Sequence, residues 1–217
     1  MIRSRTQKWV RDSLPIQYEI CHLCNNPGEF QCTNCNQPTC GNDVHVRIVC
    51  AKCIHTQTSE YTVQQASCDD VEVLEELVKL FWGDPIQLMF NQNYRVAQEP
   101  AITAKKDGNI IGFISYKDFN KNAVLIIALG ILPSFQGCGI GRTLVAQIEN
   151  YAKSQGKRQL LVVTSNDNLP AFAFYQRHGF QLFEVAPNVI AEKLGGLQLG
   201  IARIPIRDEL RLQKILS

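Results

Sequence analysis

Residues 136–143, QGCGIGRT, follow the apolar run 123–132 and lead into a helical pattern over residues 144–151. A strand that ends in a glycine-rich loop and opens a helix presents backbone N–H groups that have no partner within the helix, at the positive end of its dipole. That arrangement is an anion site. Gly137, Gly139 and Gly141 carry no Cβ, so the backbone can take positive φ and close on a phosphate oxygen. The expected anion is a pyrophosphate. A nucleoside-triphosphate loop needs Lys before its Ser/Thr, whereas Arg142 precedes Thr143 and the glycine spacing differs. A dinucleotide loop fails on spacing as well, and the next strand, 159–165, runs into TSNDN in place of a ribose-binding acid.

A second pattern lies downstream: Asn168, Ala171, Phe174, Tyr175, Gly179 and Phe180, spaced as Asn-x-x-Ala-x-x-Phe-Tyr-x-x-x-Gly-Phe. With it, the loop resembles motif A of the GCN5-related N-acetyltransferases, Arg/Gln-x-x-Gly-x-Gly/Ala, met by Gln136, Gly139 and Gly141, and the downstream pattern resembles that family's second signature at every spacing. Upstream, LGILP (129–133) is similar to the end of the family's fourth strand, whose splayed backbone pairs with the pantetheine arm of acetyl-CoA. The resemblance implies an α/β fold with a mixed, mostly antiparallel sheet, splayed fourth and fifth strands and flanking helices over residues 63–217. It implies acetyl-CoA as co-substrate, held by Ile131, Leu132, Gln136, Gly137, Cys138, Gly139, Ile140, Gly141, Arg142, Thr143, Asn168, Ala171, Phe174 and Tyr175.

Acetyl transfer from a thioester to an amine needs a neutral amine, a stabilised oxyanion and a proton for the departing thiolate. By resemblance Tyr175 supplies that proton, and a phenol with a pKa near 10 is protonated at neutral pH; the alternative is that it only packs on the cofactor. Backbone N–H groups of Ile131 or Leu132 would polarise the carbonyl. Many family members carry the general base as a Glu on the fourth strand, yet residues 122–132 contain no acid. Asp118, Asp167 and Glu99 remain, each also readable as a solvated surface charge, and a water chain or an amine of low pKa would need none of them. His178 reads as a helix-end residue, and Cys138 would act through its amide.

The chain has 217 residues, 45% apolar and 19% charged, with a net charge of +2. It has room for one domain of about 150 residues and a small appendage. Neither the charge nor any apolar run argues for nucleic acid or membrane, and no secretory leader precedes the fold, so a cytoplasmic location is expected. Residues 1–18 read as a tail in which Arg3, Arg5, Lys8 and Arg11 surround Trp9.

Seven of the nine cysteines fall between Cys21 and Cys53. Cys21/Cys24, Cys32/Cys35 and Cys50/Cys53 form three C-x-x-C pairs, and Cys40 with Asp43 supplies a fourth. Two ligands separated by two residues can aim at one tetrahedral zinc, so eight ligands imply two zincs in a module over residues 19–57. The spacing resembles B-box and HIT-type fingers, whose interleaved pairing would give Cys21, Cys24, Cys40 and Asp43 one ion and Cys32, Cys35, Cys50 and Cys53 the other. His45 or His55 could replace Asp43 or Cys53. Such thiolate-rich sites are closed and structural, and metal binding would be coupled to folding.

The remaining elements follow from pattern. Leu74, Leu77, Val78 and Phe81 share one helical face, with Asp69 or Asp70 as N-cap. Residues 81–100 form a loop able to wall an acceptor pocket through Trp82, Met89, Phe90 and Tyr94, or simply to pack in the core. Strands over 101–106 and 109–118 meet at the Asp107–Gly108 turn. After the helices over 142–155 and 170–178, strands over 180–185 and 197–205 complete the sheet, and residues 206–217 form a tail. The expected protein is an acetyl-CoA-dependent N-acetyltransferase acting on a primary amine of a protein or peptide, with the zinc module for docking and a homodimer possible. A small-amine acetyltransferase and a non-catalytic acyl-CoA sensor are the alternatives.

Overall fold

The computed structural model describes residues 60–216, together with the backbone of four two-residue strands before them. The chain divides into units 1–59 and 60–217. In the first unit, Glu19–Ile20 pairs antiparallel with Pro27–Gly28, and Phe30–Gln31 with Pro38–Thr39. In sequence, Cys21 and Cys24 fall in the connection of the first pair, and Cys32 and Cys35 in that of the second. All eight expected zinc ligands and the basic N-terminal arm lie outside the described residues. Among the described residues no group of metal-ligating side chains forms, and no helix is long and apolar enough to cross a membrane.

The second unit is built on a seven-stranded sheet. Its strands are β1 (Thr62–Gln65), β4 (Ala101–Lys106), β5 (Asn109–Asp118), β6 (Ala123–Ile131), β7 (Gln159–Ser165), β8 (Gln181–Ala186) and β11 (Glu209–Ile215), in the spatial order β8-β11-β7-β6-β5-β4-β1. Every neighbouring pair is antiparallel except β6 and β7. A small hairpin, β2 (Ile86–Met89) and β3 (Gln92–Arg95), fills what the sequence pattern left as a loop, and β9 (Gln198–Leu199) pairs with β10 (Pro205–Ile206). At the hairpin tip Phe90 and Asn91 both take positive φ.

Helix α1 (Val71–Trp82) covers one face. Leu74, Leu77 and Val78 are buried there with Phe113, Leu125, Ile127 and Leu161, while Phe90, Phe119 and Val163 pack at the margin of the same core. Asp70 stands at the N-cap but does not cap the helix with its side chain. Its carboxylate accepts the Ser67 N–H at 3.0 Å and pairs with Lys105 at 2.6 Å. Because strand residues alternate between faces, Leu160, Val162 and Leu212 turn to the other side, covered by α2 (Ile140–Ser154) and α3 (Leu169–Arg177). Lys214 of β11 reaches Glu149 of α2 at 2.6 Å on that side.

The C-terminal region corrects the sequence reading. The expected strand over 197–205 is two short strands, β9 and β10, paired around a turn at Ile201–Arg203, and the expected tail is β11, which inserts between β8 and β7. The reason is local: in Glu209-Leu210-Arg211-Leu212 the two charges look solvated, but they face the same side and pair at 2.6 Å, so the strand buries them. Leu212 is fully buried. Leu212→Ala is expected to lower unfolding free energy by about 2–5 kcal/mol in urea titrations.

Candidate active site

The site lies where β6 and β7 part. Their parallel register runs from Ala123↔Gln159 to Ile126↔Val162 and then stops, although β6 continues to Ile131 and β7 to Ser165. On its other side β6 carries an extra residue at Ile127, where its register with β5 shifts. A bulge of this kind re-aims the strand, and beyond it the two strands leave a gap flanked by unpaired backbone. The Leu132 N–H is committed to Ile111 O at 2.9 Å, which removes it from the pair of amides expected to polarise a carbonyl. By antiparallel alternation the Ile131 N–H points the other way, toward the gap.

The loop after β6 begins with a turn at Pro133–Phe135 and reaches α2 through Gly137 (φ 79) and Gly139 (φ 80), both in the left-handed region. Gly139 is the N-cap of α2 and has no side chain to satisfy the first amides, and no acid occupies the first turn. Those donors and the dipole are therefore open to an anion. Cys138 and Ile140 are buried, which anchors the loop, while Gln136 donates from Nε2 to Ile131 O at 3.0 Å and ties the loop back to the strand. Thr143 Oγ1 lies 3.3 Å from Gly139 O and 3.1 Å from the Tyr61 hydroxyl, and Arg142 is exposed.

Gly141 has a different role from the one expected. It is inside the helix, and a Cβ there would lie 3.2 Å from the Phe174 ring, so the third glycine brings α2 and α3 together. Asn168 is likewise occupied with structure: its Oδ1 accepts the Ala171 N–H at 3.2 Å and caps α3. On α3, Phe174 stacks on His178 at 4.2 Å, and His178 Nδ1 sits 2.7 Å from Phe174 O, which makes His178 a helix-end residue.

Tyr175 is 6% exposed, edge-on to Phe174 and Phe180, and no hydrogen-bond partner of its hydroxyl occurs among the described residues. Burial pushes its phenol far above the ordinary value of 10.0. It stays protonated throughout the range in which proteins work.

A family model for the acetyltransferase (GNAT) family matches residues 68–180, from the turn that precedes α1 to the end of the second motif. The chain belongs to the acetyltransferase (GNAT) family. Protein YdhI of Bacillus subtilis (strain 168) is 30% identical over 151 residues, covering 67% of this chain and 92% of its own length. Streptothricin acetyltransferase of Streptomyces lavendulae is 34% identical over 76 residues, 34% of this chain and 40% of its own. In fold, the GNAT family acetyltransferase from Elizabethkingia anophelis with acetyl-CoA bound superposes at a TM-score of 0.57 with 18% identity, over 73% of this chain and 100% of that one.

The acetyltransferase has no acid on β6, as the sequence indicated. Of the three base candidates, Glu99 pairs with Lys117 at 2.9 Å and Asp118, exposed, with Lys157 at 3.4 Å. Glu99 also borders a cleft of about 430 Å³ between Gln65, Val71 and Ala101 that contains none of the cofactor-site residues. Asp167, read as a surface charge, is 4% exposed, and its Oδ2 accepts the Ile201 N–H at 3.0 Å.

Sequence reasoning missed the way the last strand is fastened. Asn166 Oδ1 accepts the N–H groups of Arg207 and Asp208 at 2.8 and 2.9 Å, and its Nδ2 donates to Pro205 O. The Arg207 guanidinium hydrogen-bonded to Asp208 holds that carboxyl below its usual range. No motif announces these contacts. Because Gly141 meets a ring rather than open space, Gly141→Val is expected to lower stability by about 1–3 kcal/mol in thermal melts.

Proposed function

We propose that this acetyltransferase moves an acetyl group from acetyl-CoA to a primary amine by direct transfer, the amine being carried by a protein or peptide. The observation that carries the transfer chemistry is the parting of β6 and β7 beside a glycine-opened helix N-terminus. The first turn of α2 suits the pyrophosphate, and residues 129–131 with the gap suit the pantetheine arm. The Ile131 N–H is the amide that fits a developing oxyanion. Gly137, Cys138, Gly139, Ile140, Arg142 and Thr143 would meet the phosphates, while Phe174 and Ala171 wall the arm.

Tyr175 is the general acid in this reading. Burial keeps the phenol in its protonated form, the form a general acid must start from. Tyr175→Phe is expected to lower kcat about a hundredfold, with the Kd for acetyl-CoA unchanged by calorimetry. The raised pKa also fixes a sign. Activity falls at high pH only when the acid loses its proton, so Tyr175 contributes no alkaline limb below about pH 10.

Eight zinc ligands in residues 19–57 would make closed sites, suited to docking and not to a reaction centre, and this supports a macromolecular acceptor. A small-molecule amine is the second reading, favoured by the names of two kinds of relative, streptothricin and mycothiol acetyltransferases. Thiol release from acetyl-CoA on a panel of peptides and small amines separates the two, and binding without any turnover would sink both. For zinc, the expected outcome is about two equivalents by elemental analysis on the purified chain. Chelation should unfold residues 19–57 while leaving acetyl-CoA binding intact.

A further inference from the structure

Glu209 is fully buried, yet only one of its two carboxylate oxygens is used. Oε1 accepts the Arg211 Nε–H at 2.6 Å and the Phe90 N–H at 3.4 Å. Oε2 has no partner. A buried charged oxygen left without a donor is costly, and folded proteins rarely keep one. Asp167 Oδ1 is the other such atom among the described residues. Its carboxylate, however, is pinned within its own loop contacts: Oδ2 sits 2.0 Å from where a Gly200 Cβ would be.

Charge counting sharpens the case for Glu209. Arg211 is shared between two carboxylates, donating from Nη1 to Glu184 at 2.9 Å as well as from Nε to Glu209. Two negative groups around one guanidinium leave the cluster one positive charge short. Its surroundings are aromatic: the Phe90 ring lies 4.9 Å from that of Phe119 and 4.5 Å from the Arg211 guanidinium.

Its place in the sheet says what it faces. Glu209 is registered against Ser165, the last residue of β7, on the side of that strand away from β6. Val163, two residues before Ser165, packs against the α1 core, so Glu209 and Arg211 project to that face. Tyr175 stands on α3, on the opposite face. Glu209 thus sits beside the part of β7 that lies beyond Val162, where pairing with β6 has already stopped, and on the sheet face opposite the buried phenol.

Resting on the acetyl-transfer reading above, we infer that Glu209 is the acceptor-binding carboxylate and general base: its Oε2 receives the acceptor's ammonium group and takes one proton from it. The freed amine attacks the thioester carbonyl carbon, forming the C–N bond. Collapse breaks the C–S bond, Tyr175 gives its proton to the thiolate, and the tyrosinate recovers a proton from the new amide nitrogen. The proton on Glu209 leaves to water, so each turnover restores both side chains. The substrate class is a primary amine that arrives as a cation with an apolar stem against Phe90 and Phe119.

The test uses the full chain loaded with CoA and propylammonium chloride as the binding probe, read by NMR shift titration. Glu209→Gln is expected to weaken the probe about tenfold and to lower kcat on the best acceptor about a hundredfold, with the KM for acetyl-CoA unchanged. Glu209→Asp, which keeps the charge and the Arg211 partner, should restore part of both and guards against a folding artefact. Equal probe binding and equal turnover in the wild type and Glu209→Gln would overturn the inference. If the wild type turned over no amine but bound the probe through Glu209, the cation site would stand and the enzymatic reading would fall.

Discussion

The hydrogen-bond ladder between Ala123–Ile131 and Gln159–Ser165 lasts four residues and then ends, and the rest of the domain accommodates that ending. Strands that separate in the middle of a sheet expose backbone groups that need partners. They can stay apart because each is held on its outer side, β6 by β5 and β7 by the whole length of β11. The extra residue at Ile127 sets the direction of departure. What would be a defect in a closed sheet becomes a slot with its own donors and acceptors.

Around that slot the two faces do different work. One carries the glycine-opened helix, the paired α2 and α3, and a phenol kept neutral by burial. The other carries α1, the Phe90 hairpin tip and the only buried guanidinium–carboxylate cluster among the described residues. On the first face, burial among aromatic rings favours the protonated phenol of Tyr175.

The sequence displays the parts of this arrangement that depend on backbone. Glycine at 137 and 139, the apolar runs at 123–132 and 159–165, and the Asp107–Gly108 turn all have steric reasons that a reader can apply without coordinates, while the family is carried by the two spaced motifs. Gly141 and Asn168 were found for their spacing, but their contacts are with Phe174 and the Ala171 amide, which spacing does not reveal. The last strand escaped because Glu209 and Arg211 read as solvent-facing when taken singly. Burial becomes affordable only through a partner two residues away, and a pairwise effect of that kind is invisible to a scan of single positions.

Because β11 lies inside the sheet, the order of synthesis matters. Gln181–Ala186 is finished before Glu209–Ile215 exists, and its only neighbour in the sheet is that strand. Until Glu209–Ile215 clears the ribosome exit, β8 has nothing to pair with in the sheet and β7 has one bare edge. The growing chain can assemble the glycine loop, helices α1, α2 and α3 and five of the seven strands, but it cannot close. Truncation before Glu209 would therefore do more than shorten the chain: it would remove the strand that joins β7 to β8 and leave Leu182, Phe183 and Val185 without their neighbour in the sheet.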